Sequence, residues 1–185
     1  SPILPNELVK SAKETLQLAL LNVSKIHSPR AMAFIIKGIY YNHLQHPSDE
    51  NVLILKHLSD KLVQLYKHEN EENWRWFESY LTYGNSILPE ALLCAYAIIK
   101  DENYKIIAKT SFDFLLSKIF VNKVIKVISN KGWLQNNNSL LTAPIGGEQP
   151  IDVAYTIITL NKFYEIFNED IYLQKMEIAF NWFLG

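Results

Sequence analysis

The sequence predicts an all-α protein built as an α/α toroid of helical hairpins, with about seven helices alternating between an outer and an inner layer. Three observations predict it. Apolar residues recur at helical spacing through most of the 185 residues. A proline phrase occurs three times, as Ser28-Pro29-Arg30-Ala31, Leu88-Pro89-Glu90-Ala91 and Gln149-Pro150-Ile151-Asp152, with the prolines about 60 residues apart. Each phrase opens a run apolar enough to need burial on most sides. Proline suits the first helical position because its missing N–H would find no intrahelical partner there.

The helices follow in order. The first is expected over Pro5 to Lys25, with Val9, Ala12, Leu16, Ala19 and Val23 on one face. The second opens at Pro29 and carries Ala31-Met32-Ala33-Phe34-Ile35-Ile36. The third spans Asp49 to Glu69, with Leu55, Leu58, Leu62 and Leu65 in a stripe. The fourth opens at Pro89 and runs almost wholly apolar from Ala91 to Ile99. The fifth, Asn103 to Phe120, shows Ala108, Phe112, Leu115 and Ile119. The sixth opens at Pro150 and carries Val153-Ala154-Tyr155-Thr156-Ile157-Ile158. The seventh, Asp170 to Leu184, shows Leu173, Met176, Ala179, Phe180 and Phe183. Odd helices are one-sided, as helices with a wet face are, and even helices are apolar all round. A β-branched stretch from Val121 to Ser129 adds a short hairpin. The rival arrangement of such a pattern is an open helical solenoid without a site.

Composition narrows the function. Apolar residues make up 49% and aromatic residues 12%, enough for one buried domain over 1–185 and far from a disordered composition. Net charge is −1, without the basic excess of a nucleic-acid binder. No apolar run spans a bilayer and no leader is visible, so cytoplasmic location and no membrane partner are the expectations. The single cysteine, Cys94, reads as a buried thiol. His27, His43, His46, His57 and His68 lack metal-ligand spacing, and neither a metal nor a cofactor is expected.

Two loops carry the unusual residues. One runs from Asn73 to Asn85 into the fourth helix, the other from Asn130 to Gln149 into the sixth. They hold Trp74, Trp76 and Trp133 with Glu78 and Glu148. A rigid aromatic face beside carboxylates and amides suits a carbohydrate, whose C–H face covers the ring while its hydroxyls meet the polar groups. Paired carboxylates could also hydrolyse a glycosidic bond. Alternatively, the tryptophans plug the end of the bundle. Glu90 and Asp152 lie in first turns, where the helix dipole favours negative charge, so they fit either that role or a site. Arg30 is unfavourable at a helix start. It therefore calls for an acidic neighbour (Glu90, Asp152 or Glu148) or a ligand. Tyr155 follows Asp152 by three residues and shares its helix face.

Taken with Trp182-Phe183-Leu184-Gly185 and Gly132-Trp133, the proline phrases and the segment Trp74-x-Trp76-Phe77-Glu78 with Tyr80-Leu81-Thr82-Tyr83-Gly84-Asn85 resemble a known family. It is the helical toroid of bacterial group 1 glycosyltransferases of mannosyltransferase-like type, itself related to six-hairpin glycosidases and sugar epimerases. The resemblance covers most of residues 28–185. It implies a carbohydrate-active domain, associated with a glycosyltransferase, that binds or processes a glycan where the inner helices begin. The family's Gly-Tyr-x-x-Asp-Asp-Asn-Ala-Arg, Gly-Gly-Cys-x-Asp-Gly-Leu and Asn-Gln-Gly-Ala-Glu-Ser segments do not occur here, so the chain is expected to be an internal fragment of a larger toroid.

On this reading Glu78, Glu148 and Asp152 are the carboxylates to test for catalysis. Arg30, Trp74, Trp76, Asn85, Trp133, Gln149 and Tyr155 are the substrate-binding candidates. The expected partners are a carbohydrate ligand, a glycosyltransferase domain and, through open edges of an incomplete ring, a second copy of the chain. The rival functions are a non-catalytic glycan-binding module and a protein-interaction scaffold.

Overall fold

A computed structural model describes residues 5–137 and 145–185. Residues 138–144, inside the second loop, lie outside the described residues. Among the described residues there are seven α-helices: α1 (Asn6–Leu20), α2 (Pro29–Gln45), α3 (Asp49–Glu69), α4 (Ile87–Ile99), α5 (Glu102–Ile119), α6 (Pro150–Phe167) and α7 (Asp170–Asn181). The strands among the described residues are four two-residue pieces: β1 (Tyr80–Leu81), β2 (Phe120–Val121), β3 (Val124–Ile125) and β4 (Leu134–Gln135). The chain is therefore all-α in class.

Local chemistry sets the boundaries. Ser28 and Ser48 cap α2 and α3, their hydroxyls accepting from the Ala31 and Asn51 amides, and Asp101 caps α5 in the same way. Pro29 and Pro150 occupy the first turn as expected. Pro89 departs from the expectation, because α4 begins at Ile87 and the proline is its third residue. The position tolerates it, since the first four helical N–H groups lack intrahelical acceptors anyway. The first helix also ends early. It stops at Leu20, and Val23–Lys25 tighten into a 3-10 turn that buries Val23, while no residue of α1 itself is buried. The expected hairpin near Val121 forms as β2 and β3, joined by Asn122 and Lys123, both at positive φ.

Turns of two or three residues join α2 to α3, α4 to α5 and α6 to α7, which makes three antiparallel hairpins. Two turns rest on a left-handed residue just past the helix, Lys100 after α4 and Asn168 after α6. α4 lies between α2 and α6 and also packs against α3 and α5. On the other side α3 meets α5, and Lys109 of α5 reaches Glu169 and Tyr172 of the last hairpin. The even helices thus form one layer and the odd helices from α3 onward the other.

The all-round burial predicted for the even helices holds only for the first nine residues of α4. α2 exposes Phe34, Tyr41 and Leu44, and α6 exposes Ile151 and Ile158. The reason is positional: α4 has an even-numbered neighbour on each side, whereas α2 and α6 each have one.

One apolar cluster fills the space between the layers, from Val23 to Ala179. Trp74, Trp76 and Phe77 enter it from the loop before α4: Trp74 packs edge-on against Phe114, Trp76 against Phe77, and Phe77 against Tyr66. Phe112 meets Phe163 with ring centroids 4.3 Å apart, joining the second hairpin to the third. β1 and β4 then stitch the two long loops together, pairing Tyr80 with Gln135 and Leu81 with Leu134.

Candidate functional site

One arginine braces the start of α2 against the loop before α4. Arg30 sits in the first turn of α2 with its side chain almost wholly buried. Its Nη1 donates to Glu78 Oε2 at 2.7 Å, and its Nη2 donates to Thr82 Oγ1 at 2.6 Å and to Asn85 Oδ1 at 3.1 Å. Its Nε donates to the Tyr83 carbonyl at 2.6 Å. All four acceptors lie in the loop before α4, so the planar fork of the guanidinium defines that loop's shape. Asn85 reinforces it by donating to the Thr82 carbonyl while accepting from the Thr82 amide.

Asp152, in the first turn of α6, closes the brace from the other side. Its Oδ1 accepts from the Gly84 amide. Gly84 has φ +57°, a left-handed conformation that leaves this N–H free to point at α6. Asp152 Oδ2 is buried without a hydrogen-bond partner among the described residues, beside a void of about 10 Å³ lined in part by Asn85, Ser86 and Thr156. Burial pushes the Asp152 carboxyl above the usual carboxylate range, against the lowering pull of the Gly84 N–H and the Arg30 charge.

An aromatic rim flanks this brace. Tyr83 is 54% exposed, and its ring lies 5.2 Å from the Arg30 guanidinium carbon. Trp133 is half-buried, 6.2 Å from Tyr83 between ring centroids. Tyr155, also half-buried, meets Phe34 of α2 edge-on at 5.9 Å.

The sequence-predicted residues therefore divide. Arg30, Glu78, Asn85 and Asp152 come together, with Trp133 at the rim and Tyr155 one helical turn along from Asp152. Gln149 immediately precedes α6. Glu148 lies apart from the brace, its Oε2 accepting from the Trp182 indole N–H at 3.0 Å. Trp74 and Trp76 have no exposed surface, which corrects the expectation that their faces are presented to a sugar. Their role is the plug reading: Trp74 Nε1 donates to the Glu78 carbonyl at 2.7 Å and so fixes the backbone that carries the carboxylate. Arg30 finds its ion-pair partner in Glu78 rather than in Glu90, Asp152 or Glu148.

Glu90 is instead wholly buried against α2 and α6. Its Oε2 accepts from Lys37 Nζ at 2.6 Å and from Thr159 Oγ1 at 3.1 Å. Sequence reasoning missed Lys37, Thr82, Tyr83 and Thr159. The signal for Thr82 and Tyr83 was their place inside the Tyr80–Asn85 segment. Lys37 and Thr159 each follow directly on an apolar run, Phe34-Ile35-Ile36 and Ile157-Ile158, which hints at a buried polar partner. Among the described residues no group of His, Cys, Asp and Glu is placed to hold a metal ion, and no helix is long and apolar enough to cross a membrane.

No family model matches the chain, and no curated protein or solved structure matches it either. Fold and site together define an all-α domain whose first long loop is clamped to the starts of α2 and α6 and is joined to the second by the β1–β4 pairing.

Proposed function

We propose that this chain is part of an α/α toroid that binds a glycan at the mouths of α2, α4 and α6, as a non-catalytic module beside a bacterial glycosyltransferase. Three hairpins with their even helices side by side support the toroid. The observation that carries the glycan is the rim formed by exposed Tyr83 and half-buried Trp133 over the Arg30 brace. Such a surface offers ring faces to sugar C–H groups and polar atoms to hydroxyls.

Binding is favoured over hydrolysis because each candidate carboxylate has one oxygen held by the chain itself, and the unpartnered Asp152 Oδ2 is buried. Glu78 serves Arg30, Asp152 serves the Gly84 amide, and Glu148 serves Trp182. A glycosidase needs two carboxyl groups facing each other across an open sugar site. The apolar flanks of α2 and α6 are where further hairpins, or a second copy of the chain, would pack.

The test is a titration with mannotriose and other neutral oligosaccharides, followed by tryptophan fluorescence, with release of reducing ends assayed in parallel. The expected result is saturable binding that is lost in Trp133→Ala, without turnover. Turnover abolished by Glu148→Gln or Asp152→Asn would replace the module with an enzyme. Absence of binding to every sugar would leave a protein-interaction scaffold.

A further inference from the structure

The two loops carry a second polar surface that shares no residue with the Arg30 brace or its rim. In the β1–β4 ribbon Leu81 and Leu134 face the core, and the two-residue period leaves Tyr80 and Gln135 side by side on the outside. The pairing continues one residue further, where the Asn136 amide donates to the Ser79 carbonyl at 2.9 Å. The Asn136 side chain then donates to Glu71 Oε2 at 3.3 Å. Glu71 is held from behind, because its backbone bridges to that of Trp74, whose indole is locked in the core. Between these groups lies an open groove of about 530 Å³ lined by Glu71, Ser79, Tyr80, Gln135, Asn136 and Asn137.

We infer that this groove is a separate binding site for a neutral, hydroxyl-rich ligand, namely one or two units of a saccharide. The lining supplies three side-chain amides, a hydroxyl, a carboxylate and the ring of Tyr80, which is 42% exposed. Amides donate and accept at once, which matches sugar hydroxyls that do the same. The tyrosine ring provides the apolar face that sugar C–H groups cover. Other ligand classes fit poorly. The lining has no Lys, Arg or His to draw an anion, and Glu71 opposes one. One carboxylate is too few for a calcium ion, which takes about six to eight oxygen ligands. An apolar ligand would strand the amides without partners. The volume falls within the range of about 300–1,000 Å³ usual for small-molecule sites.

The inference goes beyond the mouth reading, and its test separates the two. The full chain is titrated with maltotriose, cellotriose, mannotriose and triacetylchitotriose, and with trigalacturonate as an anionic probe. The side-chain amide resonances of Gln135, Asn136 and Asn137 are followed by NMR. At least one neutral trisaccharide is expected to shift these amides. Tyr80→Ala and Glu71→Gln should each weaken that response about tenfold, with thermal midpoints close to the parent, while Trp133→Ala leaves it in place. Amides that stay unmoved by every neutral probe overturn the groove, whatever happens at Trp133. Trigalacturonate binding more tightly than the neutral sugars overturns the ligand class.

Discussion

The guanidinium of Arg30 and the carboxylate of Glu78, 48 residues apart in the chain, meet at 2.7 Å with little of either side chain exposed. The pair joins the start of α2 to the loop that enters α4. It does so with a fork that also binds Thr82, Tyr83 and Asn85.

Arg30→Ala should therefore destabilise the domain by about 3–5 kcal/mol, because it strands Glu78 and three further acceptors in a nearly closed site. Arg30→Lys should recover only part of this, since one ammonium cannot reproduce the fork. Urea unfolding of the two variants measures both. A loss below about 1 kcal/mol for Arg30→Ala would show that the loop holds its shape without the brace.

The Asp152 carboxyl gives a pH signature. Its proton is held more tightly in the folded chain than in the unfolded one, because burial raises it above the ordinary value near about 4. Between the ordinary and the raised value the folded state binds more proton than the unfolded state. Its contribution is therefore fully present below the ordinary value and is lost as pH rises through the raised one. Asp152→Asn removes that loss. Its stability relative to the parent should increase from pH 4 to 7, read from urea midpoints at each pH. Parallel curves would count against the raised value.

Trp76 and Trp133 should behave oppositely. Trp76→Ala opens a large hole in the core and should cost about 3–5 kcal/mol in unfolding experiments. Trp133→Ala, at a half-buried rim position, should cost much less and report on sugar binding instead. Equal destabilisation by the two changes would mean that the rim is part of the core.

Lys100 adopts φ +63° at the end of α4. Glycine fits that conformation without the Cβ penalty, so Lys100→Gly should stabilise the chain by about 1 kcal/mol. For a domain of this size that corresponds to a rise of about 2–4 °C in Tm, checked by calorimetry. The substitution also removes a lysine 5.4 Å from the Tyr96 ring, so an unchanged Tm would show that this contact offsets the backbone strain.

The helices were legible because their signals are local. The bounds of α3 match the sequence reading at both ends, since Ser48 caps one end and the leucine stripe runs through the other. Loop composition likewise pointed to the segment that Arg30 organises. Partner choice was not legible. Arg30 selects Glu78 and Lys37 selects Glu90 through contacts between distant segments, and no periodicity encodes them. Trp74 and Trp76 show the same limit. Aromatic residues at the end of a helical bundle fit a binding face and a plug equally well until the depth of their indoles is known.

The chain's only cysteine lies wholly inside α4, where burial and the nearby Glu90 push its thiol up to about 12. In the closed protein it should resist alkylation, because it has no exposed surface and the thiolate is the reactive form. A maleimide or iodoacetamide can therefore mark Cys94 only when the helices around α4 part. Labelling rate then becomes a clock for that opening, with no engineered reporter and no competing site to subtract. Run beside global unfolding, it tells whether the even-numbered layer breathes on its own or opens only when the whole domain does.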